Sequence, residues 1–198
     1  MPIYTSAFVK SSPNWKQCPQ TDLPEYAFIG RSNVGKSSLI NMLCNRNDLA
    51  KVSSTPGKTQ LINHFLINNT WLLVDLPGYG YAKTPKNIRE GFSTLISQYI
   101  LNRKQLICLF VLIDSRLEPQ QIDLDFLCRL GKNQIPFALV FTKSDKQSVT
   151  RSCENVTNFL NTLSENWETL PPYFVSSCIS KAGKEEIVDF IQKMNEKL

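Results

Sequence analysis

The stretch that most constrains this chain is the octapeptide G-R-S-N-V-G-K-S at residues 30–37. It has the form G-x-x-x-x-G-K-S, which is typical of phosphate-binding loops. An apolar run at 27–29 precedes it and a helix-periodic segment at 38–44 follows it, so we predict a strand, the loop and then a helix. Glycines let successive N–H groups turn toward phosphate oxygens, and the helix N-terminus adds partial positive charge. The alternative is a glycine-containing turn that binds no ligand.

We expect the whole loop to contact phosphate, with Lys36 reaching the β- and γ-phosphates and the Ser37 hydroxyl binding Mg²⁺. The expected phosphate-binding residues are Gly30, Arg31, Ser32, Asn33, Val34, Gly35, Lys36 and Ser37.

Length and composition are those of one globular domain. The chain has 198 residues, of which 42% are hydrophobic and 20% charged. Its longest apolar run, at 106–113, is too short to cross a bilayer, and the N-terminus lacks the apolar core of a signal peptide. We therefore expect a cytoplasmic protein that does not insert into membranes. The net charge of +5 permits a polyanionic partner, although an ordinary solvated surface explains it equally well.

The six cysteines are scattered and form no C-x-x-C pair. Cys44, Cys108 and Cys128 fall in apolar patterns, where a free thiol behaves as a small hydrophobic group. We expect reduced core cysteines rather than a disulfide framework, and His64, as the only histidine, does not favour a zinc site.

Residues 1–24 contain four prolines and little periodicity, which predicts an extension packed on a domain of residues 25–198. Four apolar side chains are expected to tether it, namely Ile3, Phe8, Val9 and Trp15.

Strand and helix patterns alternate through the rest of the chain. Further strands are predicted at 61–67, 71–75, 106–113, 137–141 and 173–176, and helices around 88–100, 119–130, 156–163 and 187–194. Asn68-Asn69 is a hairpin signal, and Pro119 is expected in the first turn of its helix. The pattern indicates an α/β fold with a mostly parallel sheet and helices on both faces, which binds ligands at the carboxyl ends of its strands.

Three motifs follow these strands. Asp75-Leu76-Pro77-Gly78 has the form D-x-x-G, in which Asp75 would hold the Mg²⁺ shell and the Gly78 N–H would approach a γ-phosphate; an ordinary turn is the alternative. Thr142-Lys143-Ser144-Asp145 would bind guanine, because a carboxylate accepts hydrogen bonds from N1–H and N2–H₂, which adenine lacks. Its alternative is a helix N-cap at Asp145.

The third motif is the loop after the last strand, formed by Val175, Ser176 and Ser177 and followed by Cys178. We expect a backbone N–H here to meet guanine O6, although serine-rich turns are also common without a ligand.

Taken in order, GRSNVGKS, PGKTQ, DLPGYG, TKSD and SSC resemble the EngB/YihA/YsxC family of bacterial translation-factor-type GTPases over nearly the whole chain. The resemblance implies a three-layer P-loop GTPase fold, with one antiparallel edge strand, that hydrolyses GTP with Mg²⁺. It also implies a role in large ribosomal subunit assembly, linked to cell division and septation, with ribosomal RNA and proteins as partners of a monomer.

Carried over to this sequence, the resemblance makes Thr59 the first-switch threonine that binds Mg²⁺ beside Ser37. Lys36, Thr59 and Gly78 become the catalytic residues. The nucleotide-contacting segment after the loop becomes Gly57, Lys58, Thr59, Gln60 and Leu61.

Tyr79 stands where Ras-like enzymes have a water-orienting glutamine, so we predict slow intrinsic turnover. Asn33 matches an asparagine that coordinates K⁺ in related GTPases, where the ion replaces an arginine's charge; the alternative is that Asn33 only shapes the turn. Rival functions are a GTPase with another client, a nucleotide-dependent binding module without hydrolysis, and an ATP-using kinase, which T-K-S-D disfavours.

Overall fold

The computed structural model describes residues 2–50, 61–79 and 86–198, with the side chains of residues 86–93 not described. The strands are β1 (Ser6–Ser12), β2 (Glu25–Gly30), β3 (Ile62–Ile67), β4 (Trp71–Asp75), β5 (Leu106–Asp114), β6 (Phe137–Thr142) and β7 (Tyr173–Val175). The helices are α1 (Lys36–Leu43), α2 (Lys86–Asn102), α3 (Gln121–Lys132), α4 (Val149–Ser164) and α5 (Lys184–Asn195). None of these described helices is long and apolar enough to span a membrane.

The strands form one sheet in the order β1-β3-β4-β2-β5-β6-β7. The pairs β4–β2, β2–β5, β5–β6 and β6–β7 are parallel, whereas β3 is antiparallel to both of its neighbours. The predicted mostly parallel α/β fold is therefore confirmed. The antiparallel strand β3 lies one position in from the edge, because β1 pairs with its outer side.

Each central strand is apolar on both faces, and the two faces belong to separate cores. In β2, Tyr26 and Phe28 pack in a cluster that includes residues of α1 and α5. Ala27 and Ile29 point the other way, into a cluster that includes residues of α2, α3 and α4. This alternation with a period of two places helices on both faces and explains why β2 is buried throughout.

The N-terminal segment contributes strand β1, for which the sequence pattern gave no signal. Ile3 is buried and Trp15 packs against the core, as predicted for tethering residues. Phe8 and Val9 are 58% and 44% exposed, because an edge strand leaves its side chains partly open to solvent. The Phe8 ring still contacts that of Phe65 in β3, with ring centroids 5.9 Å apart, so Phe8 also tethers the segment. Asn68, which has a left-handed backbone in the β3–β4 turn, accepts hydrogen bonds from the N–H groups of Tyr4 and Thr5.

Two local expectations were wrong. Helix α3 begins at Gln121 and Gln120 is its extended N-cap, so Pro119 precedes the helix rather than lying in its first turn. Cys128 is exposed, because it is one position away from Leu127 on the buried face of α3. All six cysteines are free thiols, and Cys18, Cys44 and Cys108 are buried.

A buried charged cluster joins β2 to the end of α2. Glu25 accepts hydrogen bonds from Tyr99 Oη (2.7 Å) and from Arg103 Nε and Nη2 (3.0 and 2.7 Å). His64 Nε2 lies 3.5 Å from Glu25 Oε1 without hydrogen-bond geometry, so Arg103 and Tyr99 are the partners that hold the carboxylate. Burial alone would raise the pKa of Glu25, but the hydrogen bonds from Arg103 and Tyr99 act against burial, and the pKa of this carboxyl lies below its ordinary value.

This cluster predicts a stability loss in acid. A carboxyl whose pKa is lower in the folded protein than its ordinary value of about 4.3 stabilises the folded state above that pH, and this contribution is lost as the pH falls through the lowered pKa. Denaturant unfolding between pH 5 and 2.5 should show a larger loss of stability in the wild type than in Glu25→Gln, which keeps the other carboxylates. The exposed Glu168→Gln is the control, and equal pH dependence in Glu25→Gln and the wild type would contradict the assignment.

Candidate functional site

The motif residues meet at one edge of the sheet. Gly30, Asp75, Asp114, Thr142 and Val175 are the last residues of five mutually parallel strands. Since parallel strands end at the same edge, segments that are far apart in sequence converge there. A separate cavity of about 740 Å³, lined by Ile3, Trp71, Ile191 and others, lies at the opposite end of the sheet and contains none of the motif residues.

Backbone conformation explains the glycines of the loop. A Cβ on Gly30 would lie 2.9 Å from the Leu112 carbonyl oxygen, so a side chain does not fit there. Gly35 has φ +103° and forms the N-cap of α1, a conformation that L side chains rarely adopt. Asn33 also has a left-handed backbone, with φ 62°, which asparagine tolerates better than most residues. The loop therefore leads directly into the N-terminus of α1, as the motif predicts.

The lysine and the aspartate of the two phosphate motifs are in contact. Lys36 Nζ donates to Asp75 Oδ1, and their side chains are 11% and 5% exposed. Burial lowers the pKa of Lys36 to about 7. The neighbouring Asp75 carboxylate acts in the opposite direction, because it stabilises the charged ammonium. Ser37 lies in the first turn of α1, next to Lys36.

These residues fit a magnesium ion in their chemistry. Mg²⁺ takes hard oxygen ligands and keeps several waters, and the buried Asp75 carboxylate and the Ser37 hydroxyl supply such oxygens. The predicted third contributor, Thr59, lies outside the described residues, as do Gly57, Lys58 and Gln60. Leu61 is described and is 38% exposed immediately before β3.

The D-x-x-G segment continues the path of β4 along β2. The Leu76 N–H bonds to Phe28 O (3.0 Å) and the Tyr79 N–H bonds to Gly30 O (3.3 Å). The Leu76 side chain is fully buried in the core, so only its backbone faces the site. Pro77 and Gly78 are also buried.

The T-K-S-D segment is tied to the phosphate loop. The buried Thr142 hydroxyl donates to Val34 O (2.6 Å), and Lys143 Nζ donates to Asn33 O (2.5 Å) and to Asp114 Oδ2 (2.9 Å). The phosphate loop and T-K-S-D, which are more than a hundred residues apart in sequence, are thus hydrogen-bonded to each other. Such bonds are expected between parts of one site and are not needed by a turn that binds no ligand.

Asp145 is held by the loop after β7. The Ser177 hydroxyl donates to Asp145 Oδ1 at 2.6 Å, and this bond holds the pKa of the carboxyl below its ordinary value. Helix α4 is capped by Ser148, whose hydroxyl accepts from the Arg151 N–H, so the N-cap alternative for Asp145 is wrong. Ser144 lies in the short 3-10 turn after β6, and its N–H bonds to Ser176 O at 3.2 Å.

The loop after β7 also shows which backbone group remains for a ligand. The Ser177 N–H bonds to Ala182 O (3.2 Å) and its hydroxyl is used by Asp145, so both of its donors are engaged within the protein. Ser176 is buried, and its N–H bonds to Phe141 O at 2.7 Å. The next N–H along the chain, that of Cys178, has no hydrogen-bond partner within the described part of the chain. Sequence reasoning left Cys178 without a role.

Sequence reasoning also missed Asp114. Its carboxylate accepts from Lys143 Nζ and from Arg116 Nε and Nη2 (2.8 and 2.7 Å). Burial acts to raise its pKa, but these donors outweigh burial and lower the pKa to about 2. The signal was available, because Asp114 ends a continuous apolar strand at the edge where ligands bind.

Comparison with known proteins agrees with this geometry. The family model described as a 50S ribosome-binding GTPase matches residues 25–143. A crystal structure described as a probable GTP-binding protein engB superposes with a TM-score of 0.66 at 24% identity, covering 88% of this chain and 100% of that one. An S. thermophilus NFeoB mutant bound to GDP superposes with a TM-score of 0.58 at 22% identity, covering 84% of this chain and 61% of that one. The fold and the site define a P-loop GTPase.

Curated relatives show which family of GTPases the chain belongs to. A protein of Phocaeicola vulgatus named Probable GTP-binding protein EngB is 57% identical over 198 residues, which is 100% of this chain and 99% of the relative. The protein of that name from Porphyromonas gingivalis is also 57% identical, over 100% of this chain and 98% of its own length. The chain belongs to the EngB family of GTP-binding proteins, as the sequence motifs predicted.

Proposed function

We propose that this GTPase is a nucleotide-dependent switch in assembly of the large ribosomal subunit, with a linked requirement in cell division and septation. The observation that supports a ribosomal client is the family model, whose description is a 50S ribosome-binding GTPase. The net charge of +5 is compatible with a contact to ribosomal RNA. The two loops that we expect to respond to the γ-phosphate, one around Thr59 and one after Asp75, carry Lys51, Lys58, Lys83 and Lys86, with Arg89 nearby. These residues would form a basic surface, and their side chains are not among those that the structure describes.

The proposed chemistry is hydrolysis of GTP by water to GDP and phosphate. Lys36 and the N–H groups of residues 30–37 would neutralise charge on the phosphoryl oxygens, and Gly78 would donate its N–H to the γ-phosphate. Ser37, Thr59 and Asp75 would hold Mg²⁺, which would supply neutralisation of negative charge on the phosphates. Rate enhancement would therefore come mainly from positioning and electrostatics, with slow intrinsic turnover.

The base would be held between Lys143 and Asp145. The Lys143 stem, fixed at both Asn33 and Asp114, would lie over the ring, while Asp145 accepts from guanine N1–H and N2–H₂. Because Ser177 already uses both of its donors, we assign the bond to guanine O6 to the N–H of Cys178.

We also propose that K⁺ assists hydrolysis through the Asn33 side chain. The left-handed backbone at Asn33 by itself accounts for an asparagine there, so the test must separate side chain from backbone. Asn33→Gly can adopt the same left-handed backbone conformation and removes the side chain with its amide. We expect faster single-turnover hydrolysis in K⁺ than in Na⁺ for the wild type, and equal rates for Asn33→Gly. Equal rates in both salts for the wild type would contradict K⁺ activation.

Co-sedimentation with purified large-subunit precursors tests the proposed client. We expect binding with a non-hydrolysable GTP analogue to exceed binding with GDP, and to weaken as salt is raised. Binding that is equal in both nucleotides and insensitive to salt would contradict a nucleotide-dependent contact with ribosomal RNA.

The second candidate is a GTP-dependent binding module with negligible intrinsic hydrolysis, which Tyr79 favours because a phenol lacks the amide of the usual glutamine. A single-turnover assay with and without ribosomal subunits separates the two.

We further propose a cytoplasmic monomer in which residues 25–198 form the GTP-binding domain and residues 1–24 an extension packed on it.

A further inference from the structure

Tyr79 is fixed by helix α3 rather than pointing freely from its loop. Its ring stacks on Phe126 with a centroid distance of 4.3 Å and an interplanar angle of 20°. Its hydroxyl donates to Asp123 Oδ1 at 2.8 Å, and the other carboxylate oxygen lies 3.9 Å from Arg31 Nη1. Asp123 is 3% exposed, so its carboxylate has little access to water and is stabilised by Tyr79 and Arg31 instead.

The contacts join three parts of the nucleotide site. Arg31 belongs to the phosphate loop, Tyr79 directly follows D-x-x-G, and Asp123 and Phe126 belong to α3. The backbones of Arg31 and Tyr79 also pair as an isolated parallel bridge, with the Tyr79 N–H on Gly30 O. The peptide after Gly78 is thus held at its backbone by the phosphate loop and at its side chain by α3.

This arrangement lowers the entropic cost of binding a ligand at the peptide after Gly78. Ordering a peptide costs conformational entropy, and a group that is already ordered binds its ligand without that cost. GDP lacks the phosphoryl group that Gly78 is assigned to contact, so a loss of ordering at Tyr79 would weaken GTP binding and leave GDP binding unchanged.

We propose that Asp123 is a positioning residue for γ-phosphate recognition: it holds Tyr79, and with it Gly78, against the phosphate loop. The inference rests on the proposed contact between Gly78 and the γ-phosphate. Tyr79 therefore has a role that does not require it to orient water.

The test measures dissociation constants for GDP and a non-hydrolysable GTP analogue in the full chain. Asp123→Ala should weaken analogue binding roughly tenfold and GDP binding less than about twofold, as expected for loss of one hydrogen bond to a charged group. Tyr79→Phe keeps the stack on Phe126, loses the hydroxyl and should show a similar, smaller effect. Asp123→Asn keeps an oxygen that accepts from Tyr79 and should rescue most of the loss.

Two further variants complete the design. The double variant Tyr79→Phe/Asp123→Ala should be no worse than Asp123→Ala, because both changes remove the same bond. Asp125→Asn, on the exposed side of the same helix, is the matched control. If Asp123→Ala does not fold, Tyr79→Phe carries the test, since it leaves the packing in place.

Gly78→Ala separates the two possible failures, because its added Cβ would obstruct the close approach of the residue 78 N–H to the γ-phosphate. If Gly78→Ala weakens analogue binding selectively while Asp123→Ala and Tyr79→Phe do not, the positioning role is wrong. If none of the three is selective, the γ-phosphate contact of Gly78 is wrong and the positioning role fails with it. Equal weakening of both nucleotides together with a lower Tm would make Asp123 merely structural and overturn the proposal.

Discussion

Asp145→Asn is expected to weaken GTP binding by roughly 10²- to 10⁴-fold. The carboxylate is assigned two hydrogen bonds from guanine, and bonds to charged groups contribute about 1.5–3 kcal/mol each. The Ser177 hydroxyl orients the carboxylate at 2.6 Å, so the geometry for this double contact is already fixed in the protein. In Asp145→Asn, one carboxylate oxygen is replaced by an NH₂ group. This NH₂ would face the N2–H₂ group of guanine, which needs an acceptor, so two hydrogen-bond donors would be placed against each other.

The same change predicts a gain that simple damage would not produce. Xanthine carries a carbonyl oxygen at position 2, which can accept from the new amide, so Asp145→Asn should bind xanthosine nucleotides better than the wild type does. Titration with GTP and XTP measures both effects, and the exposed Asp22→Asn serves as the control. Unchanged GTP affinity in Asp145→Asn would reject the assignment of the base site.

Lys36→Met is expected to slow GTP hydrolysis by roughly 10²- to 10³-fold, the usual effect of removing one preorganised donor from a developing negative charge. Methionine keeps much of the length and apolar volume of the buried lysine stem while removing the ammonium. It also leaves the buried Asp75 carboxylate without its present partner. Single-turnover hydrolysis at saturating GTP measures the chemical effect, and unfolding in denaturant measures the effect on stability separately.

A matched control for this change is Lys132→Met, at an exposed position in the last turn of α3. It should leave turnover within about twofold of the wild type. A Lys36→Met protein that is folded, saturated with GTP and hydrolyses it at the wild-type rate would contradict the phosphate role of Lys36.

The parts that the sequence predicted correctly are those whose signals are local. The run at 106–113 is apolar at every position because β5 is covered on both faces, and G-x-x-x-x-G-K-S carries its own backbone requirements at Gly30 and Gly35. Asn68 and Asn69 both have left-handed backbones, which is why that pair marks the hairpin. The rule that parallel strands end at one edge then placed the motifs together.

The parts that were missed depend on contacts between distant segments. Strand β1 forms because the outer edge of β3 offers unpaired backbone groups, and residues 1–24 carry no periodicity that shows it. Asp123 in isolation is an acidic residue in the first turn of a helix, and only the fold brings it to Tyr79 and Arg31. Only the fold shows that both Ser177 donors are engaged within the protein. This engagement is the reason that we assign the proposed O6 contact to the N–H of Cys178.

The most direct test of a guanine-nucleotide site at this edge of the sheet is competition against a fluorescent GDP analogue in the presence of Mg²⁺. Unlabelled GDP should displace the analogue at concentrations at least about a hundredfold lower than ADP, because adenine offers Asp145 neither of the two donors. Displacement by ADP as effective as by GDP would show that Asp145 does not read the base, and would contradict the account of the site.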